Sequence, residues 1–271
     1  MISFPNCKIN IGLNIVGKRT DGFHNIETIF FPLALCDALE VLLLPDNMSD
    51  EFSIEGVTID GDPDQNLCMK ALRLMQNKIT LPKLKIILQK NIPIGAGLGG
   101  GSADAAFTLK LINEFGRCGF SDEKLIEMAS QLGSDCAFFV INKPVFAEGK
   151  GDVMTPVFVN LEGYSIVIVK PPVFVSTAEA YSGVCPKVPE YSLKELVLLP
   201  VSEWPGLIRN DFEETIFPKY PEIAAIKQSL YEMGAVYASM SGSGSSVFGI
   251  FNEPLNADYR FPGCFYHEEI I

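Results

Sequence analysis

The segment Pro93-Ile94-Gly95-Ala96-Gly97-Leu98-Gly99-Gly100-Gly101-Ser102-Ala103 runs from an apolar stretch into Asp104-Ala105-Ala106, the opening of a helical pattern. Glycine has no Cβ, so such a loop reaches positive φ without strain and lets a ligand lie against the main chain. The first amides of the following helix have no intrahelical acceptor and point at whatever anion is held there. The pattern therefore predicts a phosphate cradle over residues 93–103, with Ser102 offering its hydroxyl at the helix entrance. A turn that only packs a helix against a sheet is the plainer account. It leaves the number of glycines unexplained, since each costs about 0.5–1 kcal/mol against alanine in a regular element.

Two familiar glycine loops are excluded. Gly95, Gly97 and Gly100 satisfy G-x-G-x-x-G, but the acidic residue that a dinucleotide site requires about 20 positions on falls near Glu114, inside the helical pattern. A Walker A loop ends in Gly-Lys-Ser/Thr, and residues 93–103 contain no lysine.

Three further groups of residues have chemistry to offer. Lys8-Ile9-Asn10-Ile11-Gly12-Leu13-Asn14-Ile15 alternates polar and apolar positions, which predicts a strand carrying Lys8, Asn10, Gly12 and Asn14 on one face. Asp21-Gly22-Phe23-His24 follows in a turn-rich loop. Ser134-Asp135-Cys136 carries an acid straight into the apolar run 137–140. Taken alone, Lys8 reads first as a solvated strand lysine and His24 as an ordinary loop histidine, while Asp135 reads as well as an acid closing a local turn.

These residues must be positioned by a chain of 271 residues, long enough for two domains and a large core. The balance of 48% apolar and 20% charged residues is that of a globular protein, and no uncharged apolar run approaches the length that spans a bilayer. The N-terminus lacks the basic, apolar and small-residue segments of a secretory signal, so a cytoplasmic protein without a membrane partner is expected. Cysteines at 7, 36, 68, 118, 136, 185 and 264 never form C-x-x-C, which fits reduced thiols. With only His24 and His267 present, neither a histidine-built metal site nor a Ser-His-Asp triad is expected. A net charge of −12 argues against nucleic acid as partner. It does not argue against nucleotides, because loop amides act locally and surface charge is screened beyond about 8 Å.

Strands are predicted over 8–15, 26–33, 39–44, 51–59, 84–88, 166–169 and 247–251, the 166–169 run being buried on both faces. Helices are predicted over 66–76, on an apolar face of Leu67, Ala71, Leu74 and Met75, and over 103–114, 207–212 and 222–233. Another is capped by Ser121 and runs to Gly133. The mixed order of elements predicts α+β layers. A domain boundary is expected near residue 153, dividing 1–152 from 153–271.

Three separated segments resemble the GHMP kinases: Pro5-Asn6-Cys7-Lys8-Ile9-Asn10, the glycine loop, and Ser239-Met240-Ser241-Gly242-Ser243-Gly244-Ser245-Ser246-Val247-Phe248. Lys8-Ile9-Asn10 with Asp21-Gly22-Phe23-His24, Gly99-Gly100-Gly101-Ser102, and Leu132-Gly133-Ser134-Asp135 with Phe146-Ala147-Glu148-Gly149 are similar to one branch of that family. The resemblance implies a ribosomal protein S5 domain 2-like N-terminal domain and a ferredoxin-like C-terminal domain, and covers essentially the whole chain. It implies ATP-dependent phosphorylation, with Mg²⁺, of the 2-hydroxyl of a cytidine-diphosphate-linked methylerythritol in non-mevalonate isoprenoid synthesis, by a monomer or weak homodimer. It further implies Lys8 and Asp135 as the catalytic pair and residues 93–103 as the ATP loop. Asn10 would position substrate, Phe23 would stack on cytosine, His24 would bond the base edge, and Tyr181 would cover the base's far face. Ser241, Gly242, Ser243 and Gly244 would close over the substrate diphosphate. Phe23 stands where the family commonly has Tyr, which keeps a stacking face and removes a phenol contact. Other readings are a homoserine or mevalonate kinase of the same family, for which Phe23-His24 has no use, and a silent nucleotide-binding module, against which Lys8 and Asp135 both count.

Overall fold

The structure, a computed structural model, describes residues 1–56 and 62–271. In chain order the first part holds β1 (Ile2–Ser3), β2 (Asn6–Lys18), β3 (His24–Cys36), β4 (Ala38–Leu43), β5 (Glu51–Glu55), α1 (Leu67–Gln76), β6 (Leu84–Gln89), α2 (Gly100–Phe115), α3 (Asp122–Ala129) and α4 (Cys136–Ile141). There follow β7 (Val145–Glu148), β8 (Val153–Pro156), β9 (Ser165–Lys170), α5 (Thr177–Ser182), α6 (Leu193–Leu196), α7 (Glu213–Ile216), α8 (Pro221–Glu232), β10 (Tyr237–Met240), β11 (Val247–Phe251) and β12 (Phe265–Ile270). Two compact units interleave along the sequence: Met1–Cys7, Leu33–Ile94 and Gly99–Lys143 form one, and Lys8–Pro32, Gly95–Leu98 and Pro144–Ile271 the other. This partition differs in kind from a single division in sequence order at residue 153.

In the first unit the sheet runs β1-β4-β6-β5, with β5 parallel to β6 and the other pairs antiparallel. Alternation along β4 and β6 buries Leu39, Val41, Leu84, Ile86 and Leu88. Asn66 caps α1 by accepting from the Cys68 amide at 2.9 Å. The buried face of α1 is Cys68, Met69, Ala71, Leu72 and Met75, so Leu67 and Leu74 lie at its margin instead of within it. The strand predicted over 51–59 is seen as β5, and its positions 57–59 fall outside the described residues. Helix α3 ends at Ala129, four residues before Gly133.

Part of this unit's core is ionic. Lys90 donates to Asp37 and, at 2.8 Å, to Asp104 Oδ2, and the three side chains are 3%, 0% and 4% exposed. Burial, reinforced by the Asp37 charge and opposed by Lys90, pushes the Asp104 carboxyl up to about 7. Burial would lower the Lys90 ammonium, but the two carboxylates raise it, and burial keeps the neighbouring Cys68 thiol protonated. A carboxyl whose pKa rises on folding contributes stability below its unfolded value, and that contribution is lost as pH climbs through the folded one. Stability should therefore fall between about pH 4 and 7, by about 1.4 kcal/mol for each pKa unit of the rise. Asp104→Asn is expected to flatten that slope in urea melts. An unchanged slope would contradict the assignment.

In the second unit one sheet runs β10-β11-β9-β12, antiparallel throughout. Ile166, Val167, Ile168 and Val169 of its inner strand β9 are all fully buried, as their unbroken apolar run predicts. β12 escapes such prediction because Phe-Tyr-His-Glu-Glu-Ile is an edge strand with half-buried charges. The sheet β2-β3-β7-β8 lies largely in this unit. Residues 207–212 do not form the predicted helix. Their main chain is spent on β2: Leu13 pairs with Asn210 in parallel, the Leu13 amide donates to Arg209 O at 2.8 Å, and the Asp211 amide donates to Leu13 O at 2.8 Å. The short α7 begins just after, at Glu213.

Candidate active site

Strand β2 delivers Lys8 and Asn10, and both are closed over, at 3% and 2% exposure. Lys8 is thus no solvated strand lysine. Its Nζ donates to Asn10 Oδ1 at 2.5 Å and to Gly97 O at 3.1 Å, and stands 5.0 Å from the centre of the Phe30 ring. Asn10 Nδ2 donates to Thr28 Oγ1 at 2.9 Å, and Thr28 passes its own proton to Gly12 O at 2.5 Å. A hydroxyl has one proton to give, so Thr28 must accept from Asn10, which aims the amide oxygen at Lys8. The ammonium is held by a chain in which each donor and acceptor has one orientation.

The turn joining β10 to β11 completes this network. Ser241 Oγ donates to Gly97 O at 2.9 Å and accepts from the Asn10 amide at 3.2 Å, so Gly97 O receives both Lys8 and Ser241. Gly97 has φ +74°, and a Cβ there would stand 2.0 Å from Ser241 O. At Gly242, φ +55°, a Cβ would meet Gly97 O at 3.2 Å and Asn10 Oδ1 at 3.3 Å. The Ser246 amide reaches Ala96 O at 3.2 Å, and Gly244 donates to Ser241 O at 3.0 Å to close the turn, with Ser243 half-buried. Ser241 and Gly242 are therefore committed to the short run 95–98. Sequence reading missed the residues that brace this turn. Asn210 Nδ2 donates to Met240 O and Gly242 O, both at 2.8 Å, and Glu213 Oε1 accepts from the Met240 amide at 2.8 Å. Thr28, which follows Glu27 and precedes an apolar run, carries no mark in sequence that sets it apart.

Gly99, at φ +74°, caps α2 without a side-chain hydrogen bond, and the helix begins at Gly100, three residues earlier than predicted. Gly101 is exposed, and a Cβ on it would find nothing nearer than Leu67 at 4.0 Å. The first turn of α2 is thus bare backbone with uncapped amides, and it fits a phosphate. Gly100 faces inward, where a Cβ would meet Ile92 at 2.9 Å and Lys90 Nζ at 3.2 Å. Ahead of it Pro93 is half-buried and Ile94 exposed, while Leu98 and Ala103 are buried. Burial pushes the Cys136 thiol up to about 11, against a smaller opposing effect of Ser102. Ser102 and Cys136 both stand beside Gly133, which sets the entrance of α2 near the residue following Asp135. Asp135 itself is half-buried at the N-terminal end of α4, where its side chain makes no capping bond.

Phe23 is 55% exposed, with Lys150 Nζ 5.0 Å from its ring centre. His24 stacks on Tyr181 at 4.8 Å with 17° between planes, and Tyr181 meets Phe212 edge-on at 4.8 Å. Tyr181 therefore lies against His24.

Residues 66–143 match the family model of the GHMP kinases N terminal domain, and residues 200–259 that of the GHMP kinases C terminal domain. The chain is 53% identical over 273 residues to the 4-diphosphocytidyl-2-C-methyl-D-erythritol kinase of Bacteroides fragilis (strain YCH46), covering 99% of each. It is 46% identical over 274 residues to the enzyme of the same name from Porphyromonas gingivalis, covering 100% of each. A crystal structure of a 4-(cytidine 5'-diphospho)-2C-methyl-D-erythritol kinase superposes with a TM-score of 0.79 at 27% identity, over 99% of this chain and 98% of that one.

Proposed function

Because the chain belongs to the GHMP kinase family, whose phosphate donor is ATP, we propose that it phosphorylates the 2-hydroxyl of 4-diphosphocytidyl-2-C-methyl-D-erythritol. The observation that carries this reading is end-to-end likeness, at 46–53% identity, to relatives named for that activity. The bare first turn of α2 supports a nucleotide phosphate there, with Gly99, Gly100, Gly101 and Ser102 presenting main-chain amides. In this reading Asp135 accepts the proton of the attacking hydroxyl, and Lys8 steadies the alkoxide charge as the bond to phosphorus forms. Asn10, oriented by Thr28, fixes the ammonium. Phe23 offers an open ring to cytosine, His24 a ring nitrogen to its edge, and Tyr181 backs His24 by stacking. The turn at Ser241–Gly244 serves the diphosphate of the substrate through its main chain, its serine being already engaged. Mg²⁺ belongs to the reading as a companion of the nucleotide, where it would supply neutralisation of the phosphate charge. A cytoplasmic monomer or weak dimer completes it, and among the described residues no helix is long and apolar enough to cross a membrane.

ATP consumption with 4-diphosphocytidyl-2-C-methyl-D-erythritol, homoserine and mevalonate in parallel tests the assignment. Turnover is expected with the first alone, giving a monoester at the 2-position by phosphorus NMR. Equal turnover with homoserine or mevalonate would overturn it.

A further inference from the structure

The two ends of the glycine loop are joined beneath it by charge. Lys90 follows β6 ahead of the loop and Asp104 lies in the second turn of α2 beyond it, and their side chains meet at 2.8 Å while both are buried. Asp37 fixes the entering strand a second time. Its Oδ1 accepts from the Asn91 amide at 2.6 Å and the Ile92 amide at 2.8 Å, while Oδ2 takes Lys90. Ile92 and Lys90 are in turn the groups against which Gly100 packs, so the inward side of the helix entrance rests on this cluster. Asp104 Oδ1 is buried with no hydrogen-bond partner, an uncompensated cost that stability alone does not explain. Apolar residues of like volume would hold a core at least as well. What they lack is direction, since a 2.8 Å charge-assisted bond sets the distance and angle between two backbone segments.

We propose that Asp37, Lys90 and Asp104 form the positioning device of the phosphate loop, setting how well the α2 amides are arranged before the nucleotide arrives. None of the three touches a reacting atom. An anion site made of amides gains affinity when their order precedes binding, because otherwise the ordering entropy is charged to the binding event. Severing the tie should weaken ATP and spare the acceptor. The inference rests on the kinase reading above, and its test separates the two.

Asp104→Ala leaves Lys90 and Asp37 as a balanced pair, so the chain is expected to fold, which a thermal melt checks. ATP Kd by calorimetry and KM for ATP should rise at least about tenfold, with KM for the alcohol substrate within about twofold and kcat less affected than KM for ATP. Asp104→Asn, which keeps an oxygen for Lys90, should recover most of the lost affinity. Should Asp104→Ala not fold, Asp104→Leu, which restores volume without the acceptor, is read the same way. Unchanged ATP affinity in the folded variant, an equal rise in both KM values, or failure of Asp104→Asn to recover affinity overturns the proposal. A wild-type chain that binds no ATP overturns the kinase reading instead.

Discussion

Asp135→Asn is expected to lower turnover at least about a hundredfold while ATP binds as before. A positioned general base contributes typically about 10²- to 10⁴-fold, and asparagine keeps the shape while losing the ability to take a proton. The change is also gentle structurally. Asp135 makes no capping bond to α4 that the substitution would break. Its successor Cys136 is fully buried, beside Gly133 and Ser102. The expected signature is a fall in kcat with KM for ATP nearly constant, the mark of an interaction made only in the transition state. Turnover within about threefold of wild type would remove Asp135 as the base.

Gly97→Ala is expected to damage both fold and activity, although it adds a single methyl group. The residue sits at φ +74°, where a side chain costs about 1–2 kcal/mol. Its methyl would stand 2.0 Å from Ser241 O, so the strand turn must move, and overpacking of this kind costs about 1–3 kcal/mol more. Together these correspond to a melting temperature lower by about 4–9 °C for a chain of this size. The same shift pulls Gly97 O from Lys8 and Ser241, and a misplacement of about 1 Å is enough to cost a hundredfold in rate. Gly101→Ala is the internal control. That position opens on space and lies in a helix, so alanine should leave stability equal or higher while weakening ATP. If Gly97→Ala melts and turns over like wild type, the network around Lys8 is not rigid.

The glycine loop was legible because its demand is local: positive φ at Gly95, Gly97 and Gly99 is written in the residue type itself. The strand carrying Lys8 was legible through its period of two, and β9 through its unbroken apolar run. The closing of the polar face of β2 was not. Thr28 stands next to Glu27 with nothing in sequence to single it out, and Ser241 reaches Asn10 across 231 positions that no periodicity spans. Lys90 gave no sign either, since a lysine at a strand end is ordinarily solvated and its partner Asp37 lies 53 residues away. The helix expected at 207–212 failed for a related reason: its apolar spacing was real, but its amides and carbonyls were claimed by β2. Tyr181 was recognised as an aromatic of interest, yet only coordinates could assign its ring to His24.

The interleaving of the two compact units bears on how the chain emerges from the ribosome. Every segment of the first unit has been translated once Lys143 is made, whereas the second draws on Lys8–Pro32 and on residues up to Ile271. At about 5–20 residues per second, the strand bearing Lys8 waits on the order of ten seconds for the turn that will enclose its ammonium. A nascent chain stalled near residue 150 should accordingly expose that strand to protease while the sheet β1-β4-β6-β5 resists digestion.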